Sequence, residues 1–551
     1  MRYLAMVGLL ILLVASSAVG AENLVTNPSA EESAADGTPK GWGKYAGAGG
    51  VRLAVTIDER HSGKSAAYLE LDKWHTPKDA QDSPENRSVS GAMILAENDG
   101  YRVKGALSCK PGARYAFSFW YKGTVSAAKV TVTGWPSEKA DHNQRISVSV
   151  NAKPLRPGDQ WQHCAGSFRI PAEVERFVVL ILASGQEAKG FRLGKLYVDD
   201  AQIVAKEFPN GELRGLWWGF VKAPEAEAGR REIDESLDNL KAAGINSLFV
   251  STASLYVAAL DRPELQQHQP QAVWDAYGEI LRAAKIRNMQ VHAWFSPWIY
   301  KNTSRAVELR DHPEWAAVNS AGVPDTKGLC FIRPEVRKFE LDLLARLVDR
   351  YPDLAGIHIE EPGFNWGTDY CYCEHCQTLC RQWFGIEIRK DPESVRPMLH
   401  NLAAFMCSDF FARLQEMVLA KRPGMWLSAN GSGGRNTDWY IGRDWTTWAR
   451  RGYLDFYVPQ LYTKSVDAFR KRGLETKSCL GECDLVTGMA VSWSSIYPER
   501  QEPQVIRAQI AASRELEARG FIVFHRDHLY NEHLTAIQEA VEAGKPASES
   551  K

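Results

Sequence analysis

The sequence lacks the features that mark several classes of protein. Its 551 residues hold 66 Lys+Arg against 67 Asp+Glu, so no basic excess points to a nucleic-acid partner. Beyond the N-terminus, no apolar run approaches the roughly 20 residues that a membrane span requires. No internal repeat occurs, and the only low-complexity stretch is a polar tail at residues 541–551. What remains is a globular chain long enough for two or three domains.

Residues 1–21 have the composition of a signal peptide. Arg2 provides the positive charge, an apolar stretch follows, and the small residues "VGA" precede Glu22. The apolar stretch is short for a membrane span, and no cysteine follows it that could carry a lipid anchor. We therefore predict an exported protein, periplasmic or extracellular, without a membrane span.

The rest of the chain divides into two regions of different texture. Residues 22–206 contain short alternating runs such as "RYAFSFWYKG", separated by turn residues, which predicts an all-β sandwich or jelly roll. Residues 207–540 alternate apolar strands with amphipathic helices in eight units, which predicts a (β/α)8 TIM barrel. An open doubly wound sheet is the alternative, but the first strand is followed by "GFVKAPEAEAG" rather than a glycine-rich phosphate loop.

Two adjacent glutamates stand at the end of the predicted fourth strand, "GIHIEE". Strand side chains alternate, so Ile357 and Ile359 are expected to face the helices while His358 and Glu360 face the barrel axis. Glu360 is then the last inward residue at the mouth, and Glu361 opens the loop above it. A buried carboxylate costs several kcal/mol unless partners compensate, so this position favours a functional role.

The same alternation places further polar and aromatic side chains at or near the mouth. The amides and the hydroxyl suit hydrogen bonds to a polyhydroxylated ligand, and the tryptophans suit stacking on its rings. The predicted substrate-binding residues are His292, Trp294, Trp298, Trp366, Asn430, Gln460 and Tyr462. The alternative is structural: histidines within barrel strands are often hydrogen-bonded core residues, and inward tryptophans fill the barrel. Asp455 begins the sixth strand, so it is expected at the bottom, in a stabilising role.

The barrel resembles the glycoside-hydrolase-like family ten domain. The resembling segments occur in order and include "LRGLWWGF", "LDNLKAAGINSLFV", "AAKIRNMQVHAWFSPW" and "WARRGYLDFYVPQLY". The family typically carries an acidic pair, often two aspartates, at the end of its fourth strand, where this chain has Glu360 and Glu361. Glutamates in place of aspartates are one departure from the family pattern. The cysteine-rich insert "YCYCEHCQTLC" directly after the pair is another. The resemblance implies hydrolysis of a sugar without naming the sugar.

Glycosidases generally use two carboxyl groups, one as acid and one as base or nucleophile. Glu360 is the predicted catalytic carboxyl. Its partner is either the adjacent Glu361 or Asp527, which follows the eighth strand across the mouth. Glu482 is a weaker choice because it precedes the seventh strand, at the bottom of the barrel. No cofactor and no catalytic metal are predicted.

Four clustered cysteines, Cys371, Cys373, Cys376 and Cys380, admit two interpretations. Export favours disulfides. The spacing also allows a closed zinc site with four thiolate ligands. Either arrangement would brace the loop above Glu360.

The N-terminal region resembles the jelly-roll carbohydrate-binding modules of bacterial glycosidases, through "NLVTNPSAEE", "GARYAFSFWYKG" and "LYVDDAQIV". The resemblance implies sugar-stacking aromatics, for which the sequence offers Trp74, Trp120, Tyr121 and Trp135. It also implies a structural calcium near Glu31 and Asp200.

The sequence therefore predicts a secreted glycoside hydrolase that acts on a polysaccharide or glycoconjugate. One alternative is a non-catalytic glycan-binding protein on a degenerate barrel, and another is an extracellular adhesion or scaffold protein. The sugar and linkage, the stereochemical outcome and the oligomeric state are left open.

Overall fold

The computed structural model describes residues 22–98, 102–219, 221, 225–252, 274–298, 306–364, 371–390, 392–492 and 500–544. The predicted signal peptide and Trp366 lie outside these residues. Among the helices so described, none is long and apolar enough to cross a membrane.

The N-terminal region forms two antiparallel sheets, which confirms the all-β prediction. One sheet has the strand order β1-β4-β11-β7-β8, with β5 also paired to β11, and the other has the order β2-β3-β12-β6-β10-β9. The strands are β1 (Gly43–Ala48), β2 (Gly50–Thr56), β3 (Ala66–Lys73), β4 (Ser88–Ile94), β5 (Leu107–Ser108), β6 (Arg114–Gly123), β7 (Lys129–Trp135), β8 (Ile146–Val148), β9 (Val150–Asn151), β10 (Gln162–Arg169), β11 (Arg176–Gln186) and β12 (Gly194–Lys206).

The sandwich core lies between the two sheets. Alternate residues of β6, such as Phe117 and Phe119, meet Val179 and Ile181 of β11 in one buried cluster. Period-two alternation gives each sheet one apolar face, and burial of these two faces against each other stabilises the region.

The second region is a closed barrel of parallel strands, so the predicted fold class is confirmed. The first strand pairs with both the second and the eighth, and the fifth pairs with the sixth, which closes the ring. The seventh strand consists of two short pieces, and a hairpin lies between the third and fourth strands. In chain order these strands are β13 (Leu213–Trp218), β14 (Ser247–Ser251), β15 (Gln290–Phe295), the hairpin β16 (Ala316–Val318) and β17 (Pro324–Leu329), β18 (Gly356–Ile359), β19 (Trp426–Ser432), β20 (Phe456–Gln460), β21 (Asp484–Leu485), β22 (Thr487–Ala490) and β23 (Gly520–Phe524).

Helices alternate with these strands and surround them. They are α1 (Ala226–Ala242), α2 (Ala276–Ile286), α3 (Ala306–Asp311), α4 (Pro334–Arg350), α5 (Glu374–Phe384), α6 (Pro392–Lys421), α7 (Trp445–Arg450), α8 (Val466–Lys477), α9 (Pro503–Glu515) and α10 (Asn531–Ala543). Gly385 ends α5 with a φ of 69°, a left-handed conformation that glycine adopts without steric cost.

Strand alternation sorts the barrel side chains into two layers. Ile357 and Ile359 belong to the large cluster between strands and helices. Trp217, Phe249 and Phe456 belong to a separate cluster that fills the interior of the ring. The barrel is therefore a packed core, and any site for a substrate must lie at its mouth.

The sandwich packs against the bottom of the barrel. The ammonium of Lys206, in the last strand of the sandwich, lies 2.8 Å from the carboxylate of Asp455, and both side chains are buried. Arg114 and Arg169 of the sandwich lie 3.6 and 3.1 Å from Asp484 at the start of β21. The acids stand at the amino ends of their strands, opposite the mouth, in keeping with a stabilising role for Asp455.

Candidate active site

Glu360 stands at the mouth, directly after β18. Its backbone N–H donates to the carbonyl of Phe295 at 2.8 Å, which extends the pairing with β15 by one residue beyond the strand. That pairing preserves the alternation of β18, so Glu360 follows His358 on the inner face of the ring. The carboxyl ends of parallel strands meet at this edge, where barrel enzymes hold their substrates.

Two neutral donors hold the Glu360 carboxylate. The indole Nε1 of Trp294 and the amide Nδ2 of Asn430 each donate to Oε2 of Glu360, both at 2.5 Å. Trp294 belongs to the strand on one side of β18, and Asn430 belongs to the strand on the other. Hydrogen bonds to a carboxylate favour its ionised form and fix its position.

The chain turns sharply at Glu361. Its φ of 35° lies in the left-handed region, which a residue with a Cβ adopts at a cost of roughly 1 kcal/mol or more. The Oδ1 of Asn430 accepts the Glu361 N–H at 2.9 Å. The one side chain of Asn430 therefore contacts both acids, by its N–H at Glu360 and by its oxygen at Glu361.

Arg443 is the cationic partner of Glu361. Its guanidinium lies 3.6 Å from the Glu361 carboxylate, and both side chains are largely buried. It also donates to the carbonyls of Glu361 and Pro362, at 3.2 and 2.8 Å. Arg443 is not among the residues predicted from the sequence, because "YIGRDW" carries no motif and only the fold brings this loop to β18.

Tyr462 lies near the acid pair. Burial raises the pKa of its hydroxyl well above the usual value, and the charges of Glu360 and Glu361 raise it further. The phenol therefore stays protonated at neutral pH and can donate a hydrogen bond. Its ring packs on Phe524, with ring centroids 5.7 Å apart.

The two strand histidines lie below the mouth, in the barrel interior. His292 stacks on Phe249 with ring centroids 4.6 Å apart, and His358 lies 2.9 Å from the hydroxyl of Ser428. Burial lowers the pKa of His292 to about 3 and lowers that of His358 well below its usual value. Both are neutral core residues, so the structure does not place His292 where a sugar could contact it.

Trp298 also lies in the core rather than at the mouth. Its indole is fully buried between Phe331 and Phe410 and donates to the carbonyl of Gly363 at 3.0 Å. It supports the loop that follows the acid pair rather than offering a face to a sugar. Gln460 ends β20 and is half-buried, and its carbonyl accepts from Arg472.

Asp527 belongs to a different cluster. Strand β23 ends at Phe524, and Asp527 lies in the single 3-10 turn that follows. Its carboxylate pairs with Arg526 at 3.0 Å, and Arg526 also contacts Glu232 of α1 at 2.9 Å. Glu482 is exposed, and its carbonyl accepts from Arg114 at the bottom of the barrel.

Four buried cysteines cluster beyond the acid pair. Cys330, Cys371, Cys373 and Cys376 have sulfur atoms that all lie within 4.8 Å of one another. The expected member Cys380 is replaced by Cys330, which the sequence places more than 40 residues earlier. None of the ten cysteines is bonded to another in the structure, so of the two interpretations of the cluster, the disulfide one has no bond to support it.

The predicted sugar-stacking aromatics of the sandwich occupy different environments. Trp135 and Tyr121 are buried. Trp120 stacks on His61, with ring centroids 3.9 Å apart. Trp74 is half-buried and lines an open cavity of about 610 Å³. Trp135 and Tyr121 are therefore core residues, whereas Trp74 and Trp120 are half-buried.

The acids proposed for calcium accept protein donors. Asp200 accepts from the hydroxyls of Ser29 and Ser62 and lies 2.8 Å from His61. Glu31 accepts backbone N–H groups of Lys64 and Ser65. The structure therefore provides hydrogen-bond partners for both carboxylates from the chain itself.

Part of the barrel matches a known protein family. Residues 212–481 match the family model described as Glycosyl hydrolase-like 10, which confirms the predicted resemblance. The matched segment begins just before β13 and ends before the seventh strand, so it includes both acids and Arg443.

One curated relative is the glycosyl hydrolase YngK of Bacillus subtilis (strain 168). It is 22% identical over 318 residues, which cover 48% of this chain and 57% of the relative. The chain thus spans little more than half the length of this relative.

Solved structures similar to this chain include three glycosidases. A β-galactosidase from the psychrophilic Marinomonas ef1 has a TM-score of 0.44 at 14% identity, over 60% of this chain and 59% of that one. α-L-Fucosidase isoenzyme 2 from Paenibacillus thiaminolyticus has a TM-score of 0.45 at 16% identity, over 60% and 49%. The glycoside hydrolase domain of PgaB (BpsB) from Bordetella bronchiseptica has a TM-score of 0.42 at 12% identity, over 60% and 97%.

Proposed function

We propose that this glycosyl-hydrolase-like barrel hydrolyses O-glycosidic bonds of a polysaccharide or glycoconjugate at its mouth. The observation that carries the proposal is the position of Glu360. Its carboxylate stands at the end of the fourth strand, and donors from the third and fifth strands hold one of its oxygens. A carboxylate positioned in this way before any substrate arrives needs little reorganisation to act on one.

Glu360 is assigned the role of the ionised carboxylate. Hydrolysis of a glycoside develops positive charge on the sugar ring, and the ionised carboxylate either attacks the anomeric carbon or activates a water molecule. The two N–H donors on Oε2 favour the charged form that either role needs. Glu361 and Asp527 remain the two choices for the acid that protonates the leaving oxygen.

The test is a hydrolysis screen on diverse polysaccharides and aryl glycosides. Glu360→Gln removes the charge but keeps the shape, and we expect it to lose at least about a hundredfold in kcat/KM. Glu532→Gln is the control, because Glu532 is an exposed glutamate on α10 and should keep full activity. The acid is identified by assaying Glu361→Gln and Asp527→Asn on the same substrate. The alkaline limb of the pH–rate profile reflects deprotonation of the acid, so the variant that lacks the acid should lose that limb.

Two outcomes would contradict the proposal. Full activity in Glu360→Gln would remove Glu360 from the chemistry. A folded wild-type protein that cleaves none of the substrates but binds glycans would instead support the non-catalytic glycan-binding alternative.

Azide added to Glu360→Ala gives a further check, since a small anion can replace a missing nucleophile or base.

We also propose that the protein is exported. The composition of residues 1–21 supports this, through a positive charge, an apolar stretch and a small-residue cleavage site. Fractionation of producing cells, with mass spectrometry of the mature N-terminus, tests the proposal. A product that keeps Met1 and stays in the cytoplasm would contradict it.

A further inference from the structure

The cluster of Cys330, Cys371, Cys373 and Cys376, here called the four-cysteine cluster, has a specific geometry. The sulfur of Cys330 lies 3.6 Å from that of Cys376 and 3.8 Å from that of Cys373. The sulfurs of Cys373 and Cys376 are 3.7 Å apart. All four side chains are buried, so the thiols face one another rather than solvent.

These separations match a tetrahedral metal site and not a disulfide. Sulfur atoms bonded to each other lie about 2.05 Å apart. Zinc binds thiolate at about 2.3 Å, and the edge of a regular tetrahedron with that radius is about 3.8 Å. The three sulfur–sulfur distances fall within about 0.2 Å of that edge.

We propose that the four-cysteine cluster binds one zinc ion as a closed structural site. Four soft thiolate ligands in a tetrahedral arrangement select zinc over the hard cations that prefer oxygen. Four protein ligands leave no open position for water or substrate, so the ion does not take part in the chemistry at Glu360.

Backbone donors around one sulfur support thiolate character. The N–H groups of Val318 and Cys373 both point at the sulfur of Cys371, at 3.2 and 3.4 Å. Such N–H···S bonds orient a metal-bound thiolate and stabilise its charge. Val318 belongs to β16, so the donors, like the ligands, come from two separate segments.

The ion would join two segments that flank the candidate active site. Cys330 directly follows β17, whereas the other three ligands follow the acid pair at the start of α5. Phe331, next to Cys330, packs on Trp298 and on Phe364, which lies three residues after Glu361. A metal bond at Cys330 would therefore stabilise the packing beneath the acid-pair loop.

Metal analysis of the purified full-length protein tests the proposal. Protein prepared without chelators should contain about one zinc ion per chain by plasma mass spectrometry. Cys376→Ser should reduce the zinc content at least about fivefold. Cys380→Ser is the matched control, since Cys380 is buried one turn further along the same helix, outside the cluster, and should keep the full content. Replacement of zinc by cobalt should give the intense visible absorption of a tetrahedral cobalt thiolate site.

The wild-type protein provides a second test if Cys376→Ser fails to fold. Removal of the metal with a chelator should lower Tm by at least about 5 °C, and added zinc chloride should restore it. A folded wild-type protein without bound metal, whose denatured chain shows two disulfides among the four cysteines by mass spectrometry, would overturn the proposal. Zinc content is measured without any glycan, so this result is independent of the Glu360→Gln assay.

Discussion

At the scale of single residues, His292 shows how burial decides the role of a side chain. Alternation along "QVHAWF" predicts that the His292 side chain points toward the barrel axis. Side chains that point this way can lie either at the mouth or in the packed interior. Neither ring nitrogen of His292 has a hydrogen-bond partner among the described residues, and its ring lies flat against Phe249. An imidazole in such surroundings stays neutral because a charge there would be desolvated without compensation.

The buried His292 should make the protein sensitive to acid. In the unfolded chain an imidazole binds a proton below about pH 6.5, whereas folding lowers the pKa of His292 to about 3. Between these values the unfolded state binds more protons, so stability falls as the pH falls, by up to about 1.4 kcal/mol per pH unit. Urea unfolding of wild type and His292→Phe at pH 7 and pH 5 should show a weaker pH dependence in the variant.

An exposed histidine provides the control for this measurement. His75 is exposed, and His75→Asn controls for the loss of a histidine that is not buried. Equal pH dependence in His292→Phe and wild type would mean that His292 is not the buried neutral group described above. His358, buried beside it, should account for much of the dependence that remains in the variant.

At the scale of elements, Asn430 connects two neighbouring strands at the mouth. It lies in β19 and contacts both residues that follow β18, through an N–H at Glu360 and a carbonyl oxygen at Glu361. The sequence alone predicts that Asn430 binds sugar hydroxyls. In the structure its side chain is almost fully buried, and it positions the acids instead.

Asn430→Ala should impair activity while preserving the fold. The variant removes a donor from the Glu360 carboxylate and leaves the Glu361 N–H without its acceptor. We expect a loss of about 10- to 100-fold in kcat and about 1–3 kcal/mol in the free energy of unfolding. Steady-state kinetics and urea unfolding measure the two effects separately.

Asn436→Ala is the matched control for that prediction. Asn436 is half-buried and donates to Asp444 and Thr446, but it has no bond to either acid. It should lose stability comparably and keep kcat. If both asparagine variants reduced kcat equally, the loss would reflect general destabilisation, and the positioning role of Asn430 would be wrong.

At the scale of the whole molecule, buried charges join the sandwich to the barrel. Lys206 ends the last sandwich strand, and Asp455 precedes the sixth barrel strand. The Asp455 carboxylate also accepts the backbone N–H of Leu427 at 2.8 Å. Burial lowers the pKa of Lys206, and Asp455 opposes that effect, so the ammonium depends on this partner across the interface.

Lys206→Met should destabilise the protein substantially. It leaves Asp455 buried without its cation, and the loss of one partner of a buried ion pair costs about 3–5 kcal/mol. Lys110→Met is the control, since the Lys110–Glu207 pair is exposed and should contribute less than about 1 kcal/mol. Thermal and urea unfolding measure both variants. Equal stabilities would contradict the assignment of Lys206–Asp455 as a stabilising contact between the two regions.

The sequence by itself determined the architecture and the position of the acid pair. Short strands with period-two alternation bury their apolar faces by packing two sheets together, as in a sandwich. Apolar strands that alternate with amphipathic helices bury theirs in a β/α barrel, so the two patterns distinguish the two folds. The same alternation assigns Ile357 and Ile359 to the helix layer and Glu360 to the barrel axis. These properties depend on neighbours within a few residues, so they can be read from a linear chain.

Only the tertiary structure decided which distant residues meet. Arg443 reaches Glu361, and Cys330 joins three cysteines of another loop, through contacts between segments that are far apart in the chain. Tertiary packing also buries Trp298 and His292, which local patterns place near the mouth. Contacts between such distant segments cannot be predicted from the local sequence. The fold of the whole barrel determines which residue becomes the partner of a buried charge or thiol.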